Sequence, residues 1–139
     1  MLEESGARPP EFFAAEIGSQ APRYGLSLGP AAVAGLSRYL AEADRWRRRM
    51  NLTGPLSAEE LVSHALESTL GSQLIAHGAR VLDIGSGAGL PGVPLAISRP
   101  DLSVTLLEPR VKRAAFLRHV VRSVPVENAR VVEKRAEKL

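Results

Sequence analysis

The spacing of apolar and polar positions predicts helices in the first half of the chain. Between Pro30 and Met50, apolar residues recur at intervals of three and four, as on one face of an amphipathic helix. They are Val33, Leu36, Leu40, Ala43 and Met50. Farther along, Ser57 and Glu60 have the S-x-x-E spacing of a capping box, in which each side chain accepts a hydrogen bond from the other residue's backbone N–H. This spacing predicts a second helix that runs to about Leu70.

The segment before these helices is interrupted by prolines. Pro9, Pro10 and Pro22 flank a single short possible helix, from Glu11 to Ile17. Proline restricts the backbone and removes an N–H donor, so it breaks regular hydrogen bonding. We therefore predict a loosely held arm that extends to about residue 23.

The second half of the chain alternates short β-rich runs with helical ones. We predict strands at 81–84, 103–107 and 129–132, and helices at 91–98 and 110–123. The order β-α-β-α-β favours a parallel sheet with right-handed crossovers. Ligands of such sheets bind at the carboxyl ends of the strands.

These elements predict an α/β protein with two parts. Residues 1–78 would form the arm and a helical cap, and residues 79–139 would form part of a ligand-binding α/β domain. A chain of 139 residues has room for one ordinary domain, or for a small cap with an incomplete larger domain. Two helices are thus expected before the first strand.

Composition excludes several classes of protein. The sequence has no cysteine, which rules out disulfides, cysteine-ligated metals and a thiol nucleophile. The histidines, His64, His77 and His119, lack metal-ligand spacing, so we expect no metal site. No apolar run approaches the roughly 20 residues that span a bilayer, and the acidic, proline-rich start does not resemble a signal peptide. We therefore expect a cytoplasmic protein that does not bind membranes.

Candidate chemistry is concentrated after the first predicted strand, in the segment Asp83-Ile84-Gly85-Ser86-Gly87-Ala88-Gly89. Its glycines permit positive φ and lack the Cβ atoms that would keep a ligand away from the backbone. At the end of the next strand, Glu108 is placed to accept hydrogen bonds from both hydroxyls of a ribose. Together they indicate a site for a nucleoside: backbone on one side and a carboxylate on the other.

Two nucleoside cofactors compete for this pattern. Gly87, Gly89 and Gly92 form a literal G-x-G-x-x-G, the dinucleotide fingerprint. In that fingerprint the first glycine directly follows the strand, whereas here Gly85 would be an extra loop residue before it. Pro91 also lacks the N–H that a pyrophosphate would use at a helix start. The other register begins with the carboxylate of Asp83, which suits the cationic methionyl end of S-adenosylmethionine. The residues favour the methyl donor and leave a nicotinamide-dependent oxidoreductase as the alternative.

Longer motifs resemble one family. Asn51-Leu52-Thr53, the segment VLDIGSGAGLPGVP at 81–94 and the segment TLLEPRVKRAAFLR at 105–118 are similar to RsmG, also called GidB. This resemblance implies a Rossmann-like methyltransferase that uses S-adenosylmethionine to methylate N7 of a guanine in 16S ribosomal RNA. It implies cofactor contacts at Gly85 and Leu90, ribose binding by Glu108, and an approach to the adenine by Ala136 and Glu137. We add Asp83, Gly87 and Gly89 to the candidate cofactor site.

Members of this family extend well past the position of Leu139. The resemblance therefore implies that this chain holds only the first half of the sheet, and we expect it to bind cofactor without turnover. A half sheet leaves an unpaired edge, which is open to self-association. A non-catalytic RNA-binding or assembly module is the remaining alternative.

The basic residues are unevenly placed, although the net charge is only +3. Clustered cations favour a polyanionic partner such as 16S ribosomal RNA or the small ribosomal subunit. A solvated helix surface explains the same residues about equally well. The candidate phosphate contacts are Arg45, Arg47, Arg48, Arg49, Lys112, Arg113, Arg118 and Arg122. Candidates for stacking on bases are Tyr24, Tyr39 and Trp46. No acid–base pair is proposed, so the catalytic residues are left unassigned.

Overall fold

A computed structural model describes residues 6–139; the first five residues of the predicted arm lie outside this range. Three helices come first and are followed by three strands that alternate with two helices. The helices are α1 (Pro10–Gln20), α2 (Pro30–Trp46), α3 (Ala58–Gly71), α4 (Gly92–Ser98) and α5 (Val111–Ser123). The strands are β1 (Arg80–Ile84), β2 (Ser103–Leu107) and β3 (Ala129–Val132). Single 3₁₀ turns lie at Ala21–Tyr24, Ser72–Leu74 and Ala136–Lys138.

The N-terminal segment is not a loosely held arm, so that prediction is wrong. It contains α1, which packs against α2 and α3. Phe13 and Ile17 lie one helical turn apart on the same face, and both side chains are completely or almost completely buried. Gln20 adds polar contacts, because its amide donates to the carbonyl of Glu59 at 3.0 Å and accepts from the Ser63 hydroxyl at 2.6 Å. The segment is part of the core.

The predicted start of α3 is confirmed. The Ser57 hydroxyl accepts a hydrogen bond from the backbone N–H of Glu60 at 3.0 Å, and the Glu60 carboxylate accepts one from the backbone N–H of Ser57 at 2.8 Å. The predicted helix over residues 30–50 ends earlier than expected, at Trp46. Residues 47–49 form turns, since the N–H of Arg49 donates to the carbonyl of Trp46 at 2.9 Å.

The three strands form a parallel sheet in the order β1-β2-β3, as the alternation of elements predicted. α4 packs on β1 and β2, α5 packs on β3, and the cap helices α2 and α3 cover α4. On β1, Asp83 is buried, whereas Leu82 and Ile84 are 46% and 62% exposed on the opposite face. The architecture is therefore that of the first half of a Rossmann-like sheet with a helical cap, with its helices on one face.

Helix α5 buries one face and leaves its first residue exposed. Ala114, Phe116, Leu117 and Val120 are fully buried, whereas Val111 is 67% exposed. Phe116 is buried because α5 contacts α2 as well as the sheet: its ring packs against Trp46, with ring centroids 5.4 Å apart. Within residues 6–139, no helix is both long and apolar enough to cross a membrane.

Candidate functional site

The loop between β1 and α4 has the backbone conformation that its glycines predicted. Gly85, Gly87 and Gly89 have φ values of +74°, +52° and +95°, a region that favours glycine. The loop is tied to the end of β2, because the N–H of Gly85 donates to the carbonyl of Leu107 at 2.8 Å. It is tied back to β1 by the Ser86 hydroxyl, which donates to the carbonyl of Asp83 at 3.0 Å.

Two glycines of this segment serve different purposes. A Cβ atom added to Gly85 would meet none of the described heavy atoms within 4 Å, so the space above this residue is open. A Cβ atom added to Gly92 would overlap the Leu106 side chain and would lie 2.6 Å from Oδ2 of Asp83. Gly92 therefore allows α4 to pack closely on the sheet, and Gly85 leaves room beside the backbone.

The Asp83 side chain is hydrogen-bonded to the N-terminus of α4. Its Oδ2 atom accepts a hydrogen bond from the backbone N–H of Gly92 at 3.0 Å, and the residue is 8% exposed. Removal from water raises the pKa of Asp83, because burial disfavours the ionised carboxylate. The hydrogen bond that the N–H of Gly92 donates to the carboxylate opposes this shift in pKa without cancelling it.

The first turn of α4 has its N–H groups occupied. After Gly92, the N–H of Val93 donates to the carbonyl of Gly89 at 2.7 Å. Residue 94 is proline and has no N–H, and Leu95 donates within the helix to the carbonyl of Pro91 at 3.1 Å. Within the described residues, this helix start therefore offers no backbone N–H to a pyrophosphate.

Glu108 joins the glycine loop to the segment after β2. One carboxylate oxygen accepts from the N–H of Gly87 at 2.8 Å, and the other accepts from the N–H of Arg110 at 3.0 Å. The residue is 3% exposed. Each oxygen keeps a second lone pair, so the predicted ribose contact stays a prediction. The structure adds a positioning role that the sequence did not reveal.

A cleft of about 460 Å³ opens at the carboxyl ends of the strands. It brings three of the predicted cofactor contacts, Gly85, Ala136 and Glu137, to one place. Asp83, Gly87, Gly89 and Glu108 support the surrounding loops, whereas Leu90 is half-buried and packs against the core. The lining residues are Ile84, Gly85, Leu107, Pro109, Arg110, Lys134, Arg135, Ala136 and Glu137.

Below the loop lies Tyr39, which was a candidate for base stacking. That candidacy is wrong, since Tyr39 is fully buried and its hydroxyl donates to the carbonyl of Ala88 at 2.8 Å. Burial raises the pKa of Tyr39 far above its ordinary value. Its ring therefore supports the glycine loop from the core. Trp46 is half-buried, with its ring 5.4 Å from that of His119.

The structure places the predicted RNA-binding residues in different environments, some inside the cap and some on the surface. Arg47 points inward: its guanidinium pairs with the fully buried Asp44 at 2.8 Å and also donates to the carbonyl of Leu56. Arg48 shares the same carboxylate at 3.3 Å. On the surface, Arg45 pairs with Glu42 at 3.4 Å and Arg118 pairs with Glu133 at 2.9 Å, while Arg122 is exposed near the end of α5.

The remaining candidates line one groove, of about 680 Å³, between the loop after α2 and the start of α5. We call it the basic groove; it is lined by Arg49, Met50, Asn51, Pro109, Arg110, Val111, Lys112 and Arg113. Arg110 was missed by sequence reasoning, although its position two residues after Glu108 was a usable signal. No group of three or more His, Asp or Glu side chains suited to a metal ion occurs in the described part of the chain.

Comparison with known proteins identifies the family of this chain. The family model GidB, described as rRNA small subunit methyltransferase G, matches residues 32–139. A ribosomal RNA small subunit methyltransferase G of Xanthomonas axonopodis pv. citri is 44% identical over 139 residues, covering 99% of this chain and 63% of the relative. The protein of the same name from Chromobacterium violaceum is 42% identical over 124 residues, covering 88% of this chain and 59% of the relative.

A third relative of that name, from Xylella fastidiosa, is 46% identical over 114 residues, covering 82% of this chain and 54% of the relative. The chain thus spans less than two thirds of the length of these three proteins. The family model nevertheless covers most of the chain, including the glycine loop, the cleft and the basic groove. The chain therefore belongs to the GidB family, the rRNA small subunit methyltransferase G family.

Proposed function

We propose that this chain is the S-adenosylmethionine-binding part of a methyltransferase that acts on N7 of a guanine in 16S ribosomal RNA. Family membership supports the reaction class and the ribosomal RNA substrate. The cleft at the carboxyl ends of the strands supports the position of the cofactor, since ligands of parallel sheets bind there. A cytoplasmic location would follow from this substrate.

The contact between Asp83 and the start of α4 is the observation that favours S-adenosylmethionine over a dinucleotide as the cofactor. A dinucleotide would place its pyrophosphate on backbone N–H groups at a helix start, but here those groups are used by Asp83 and Gly89 or are absent at Pro94. The buried carboxylate would also repel a pyrophosphate. A cation beside it would offset the cost of its burial, and the methionyl end of S-adenosylmethionine supplies cationic groups.

The proposed reaction needs little acid–base chemistry. S-adenosylmethionine, when bound, supplies an electrophilic methyl group. Guanine N7 carries an exposed lone pair, so the N–C bond forms as the S–C bond breaks and no proton has to be removed. The protein's contribution is then to hold the two reactants in line and to exclude water.

Calorimetry tests the cofactor. We expect S-adenosylmethionine and its demethylated product to bind the 139-residue chain, and NAD not to bind. The test variant is Gly85→Ala, which places a methyl group at the cleft. Its matched control is Gly25→Ala, because Gly25 has a similar positive φ of +69° and no described heavy atom within 4 Å of an added Cβ. Both variants carry the same backbone strain, and only Gly85→Ala should weaken binding. Binding of NAD without binding of the methyl donor would overturn the proposal.

A methylation assay tests the substrate. Small ribosomal subunits lacking the modification are incubated with tritiated methyl donor and either this chain or the longer Xanthomonas axonopodis pv. citri relative. We expect incorporation at a guanine N7 with the relative and none with the 139-residue chain. Incorporation at another atom would contradict the N7 assignment. Transfer by the 139-residue chain would show that the described cleft is sufficient for turnover.

Self-association is a separate prediction. β1 is one of the two edge strands of the three-stranded sheet, and its Leu82 and Ile84 side chains are exposed on the sheet face opposite the helices. Exposed strand edges pair readily with other chains. Sedimentation equilibrium should therefore show a mass above 14.9 kDa that falls on dilution. Replacing Ile84 with lysine should favour the monomer, and a monomer at all concentrations without this change would exclude the prediction.

A further inference from the structure

The basic groove combines four cationic side chains from two distant segments. Arg49 lies in the turn after α2, whereas Arg110, Lys112 and Arg113 lie around the first turn of α5. Among the lining residues, which all belong to the described range, there is no carboxylate. Arg110, Lys112 and Arg113 concentrate positive charge at the start of α5, and this chemistry suits a chain of phosphates.

Local energetics do not explain this arrangement. The N-terminal turn of a helix favours acidic side chains, because the helix dipole is positive there. The first turn of α5 has no acidic residue and carries Lys112 and Arg113 instead. These cations repel one another and the dipole, so they weaken the helix start. An anion in the groove would relieve that repulsion.

The two walls of the groove are held together. Nη2 of Arg113 donates to the backbone carbonyl of Asn51 at 2.9 Å, which connects α5 to the turn after α2. Between the charges lie apolar surfaces from Met50 and from Val111, which is 67% exposed. Such surfaces pack against riboses and bases, so the groove combines phosphate-binding charge with contacts for a nucleotide.

The groove meets the cofactor cleft at Arg110. Pro109 and Arg110 line both cavities. The backbone N–H of Arg110 is held by Glu108, which also holds the glycine loop through Gly87. The position of Arg110 is thus fixed relative to the cleft, at the point where a strand lying in the groove would reach the cofactor.

We propose that the basic groove binds the phosphates of a single RNA strand next to the target nucleotide, and that Arg110 is the phosphate contact closest to the cofactor. The inference rests on the proposed function and refines its RNA-binding surface. Arg47 does not belong to this surface, since it pairs with buried Asp44. Arg122 does not belong to it either, because it lies twelve residues along α5 from Arg110, roughly 18 Å at 1.5 Å per residue.

Binding of a fluorescent single-stranded RNA oligonucleotide, measured by anisotropy over a range of salt concentrations, tests the groove. The double variant R110A/K112A removes two cations from it, and R122A removes one from the far end of the same helix. Each phosphate contact contributes about 0.7 to the slope of log affinity against log salt. We expect the double variant to lower that slope by about 1.4 and to weaken binding about tenfold at low salt. R122A should bind within about twofold of the unaltered chain, because about 18 Å exceeds the screening length of roughly 8 Å at physiological salt.

Calorimetry with S-adenosylmethionine on the same variants separates the two proposals. If the double variant still binds the cofactor and its RNA salt slope is unchanged, the proposed RNA binding by the groove is wrong and the proposed function is unaffected. In the single variant R110A, loss of cofactor affinity with unchanged RNA binding would assign Arg110 to the cleft and overturn its proposed role as a phosphate contact. If the unaltered chain binds RNA through the groove but does not bind the methyl donor, the proposed function fails instead. Equal effects of R122A and the double variant would point to diffuse charge and contradict a defined groove.

Discussion

Oδ2 of Asp83 accepts a hydrogen bond from the backbone N–H of Gly92 at 3.0 Å, so the carboxylate at the end of β1 closes the start of α4. The contact satisfies one of the helix N–H groups that otherwise lack a partner. It also holds a carboxylate in a buried position, where its pKa is raised. The same residue thus stabilises the fold through a hydrogen bond and destabilises it through its charge.

Replacing Asp83 with asparagine should change stability and cofactor affinity in opposite directions. The variant keeps an oxygen acceptor for Gly92 and removes the buried charge. Because the folded state raises the pKa of Asp83 above its ordinary value of 3.8, the unaltered chain loses stability as the pH rises from that value through the raised pKa. We expect D83N to have the higher melting temperature at pH 7, with a difference that disappears below about pH 3.8.

The affinity of D83N for S-adenosylmethionine should fall about tenfold or more, since a hydrogen bond to a charged group contributes about 1.5–3 kcal/mol. Thermal melts from pH 3 to pH 8 and calorimetry measure the two effects. A variant that is less stable at every pH would show that the hydrogen bond, and not the charge, dominates at this position.

Adding a methyl group should have opposite effects at two helical glycines. The methyl group of Gly92→Ala overlaps the side chains of Leu106 and Asp83 and pushes them away from α4. Overpacking of this kind lowers the free energy of unfolding by about 1–3 kcal/mol. Gly18→Ala, in α1, meets no described heavy atom within 4 Å and should stabilise the chain by about 0.5–1 kcal/mol through helix propensity. Urea unfolding measures both free energies. Equal effects at the two sites would contradict the close packing of α4 on the sheet.

Arg47 should contribute to stability and not to RNA binding. Arg47→Met removes one partner of a fully buried carboxylate, and breaking a buried ion pair costs about 3–5 kcal/mol. Contacts from Arg48 and from the backbone N–H of Arg8 remain on Asp44, so we expect the lower end of that range. Arg122→Met is the exposed control and should change stability by less than about 0.5 kcal/mol. Weaker RNA binding by Arg47→Met at unchanged stability would restore Arg47 as an RNA contact.

Truncation of Phe13 tests whether α1 belongs to the core. Phe13→Ala should lower the free energy of unfolding by about 3–5 kcal/mol, as expected for a fully buried aromatic ring. The neighbouring Phe12 is half-buried, with its ring 4.4 Å from the Arg8 guanidinium, so Phe12→Ala should cost less. Chemical denaturation compares the two. If the Phe13→Ala variant is as stable as the unaltered chain, the interpretation of this segment as a loosely held arm would be supported.

Local patterns were sufficient to predict most of the secondary structure. β2 and β3 begin and end at the predicted residues, because each is a short apolar run bounded by turn-forming residues. The start of α3 was predictable because its capping box involves only residues three positions apart. The glycines of the loop after β1 implied positive φ, and the structure has it. Each of these features depends on neighbours in sequence.

Tertiary structure decided where side chains point. The burial of Phe13 depends on surfaces provided by α2 and α3, so its segment was misjudged from its prolines. Arg47 and Lys112 are both cations in polar stretches, yet Arg47 pairs with a carboxylate inside the cap and Lys112 lines the groove. The partner of Arg47, Asp44, lies three residues before it, and that spacing was a signal that sequence reasoning did not use.

The sequence by itself determined the family, the order of elements and the residues of the glycine loop, because motifs and periodicity are properties of nearby positions. Only the tertiary structure joined Asp83 to Gly92, Glu108 to Gly87 and the 49–51 turn to the start of α5. These contacts join residues about ten to sixty positions apart, and they form only when the chain packs. The cleft and the basic groove exist because of that packing.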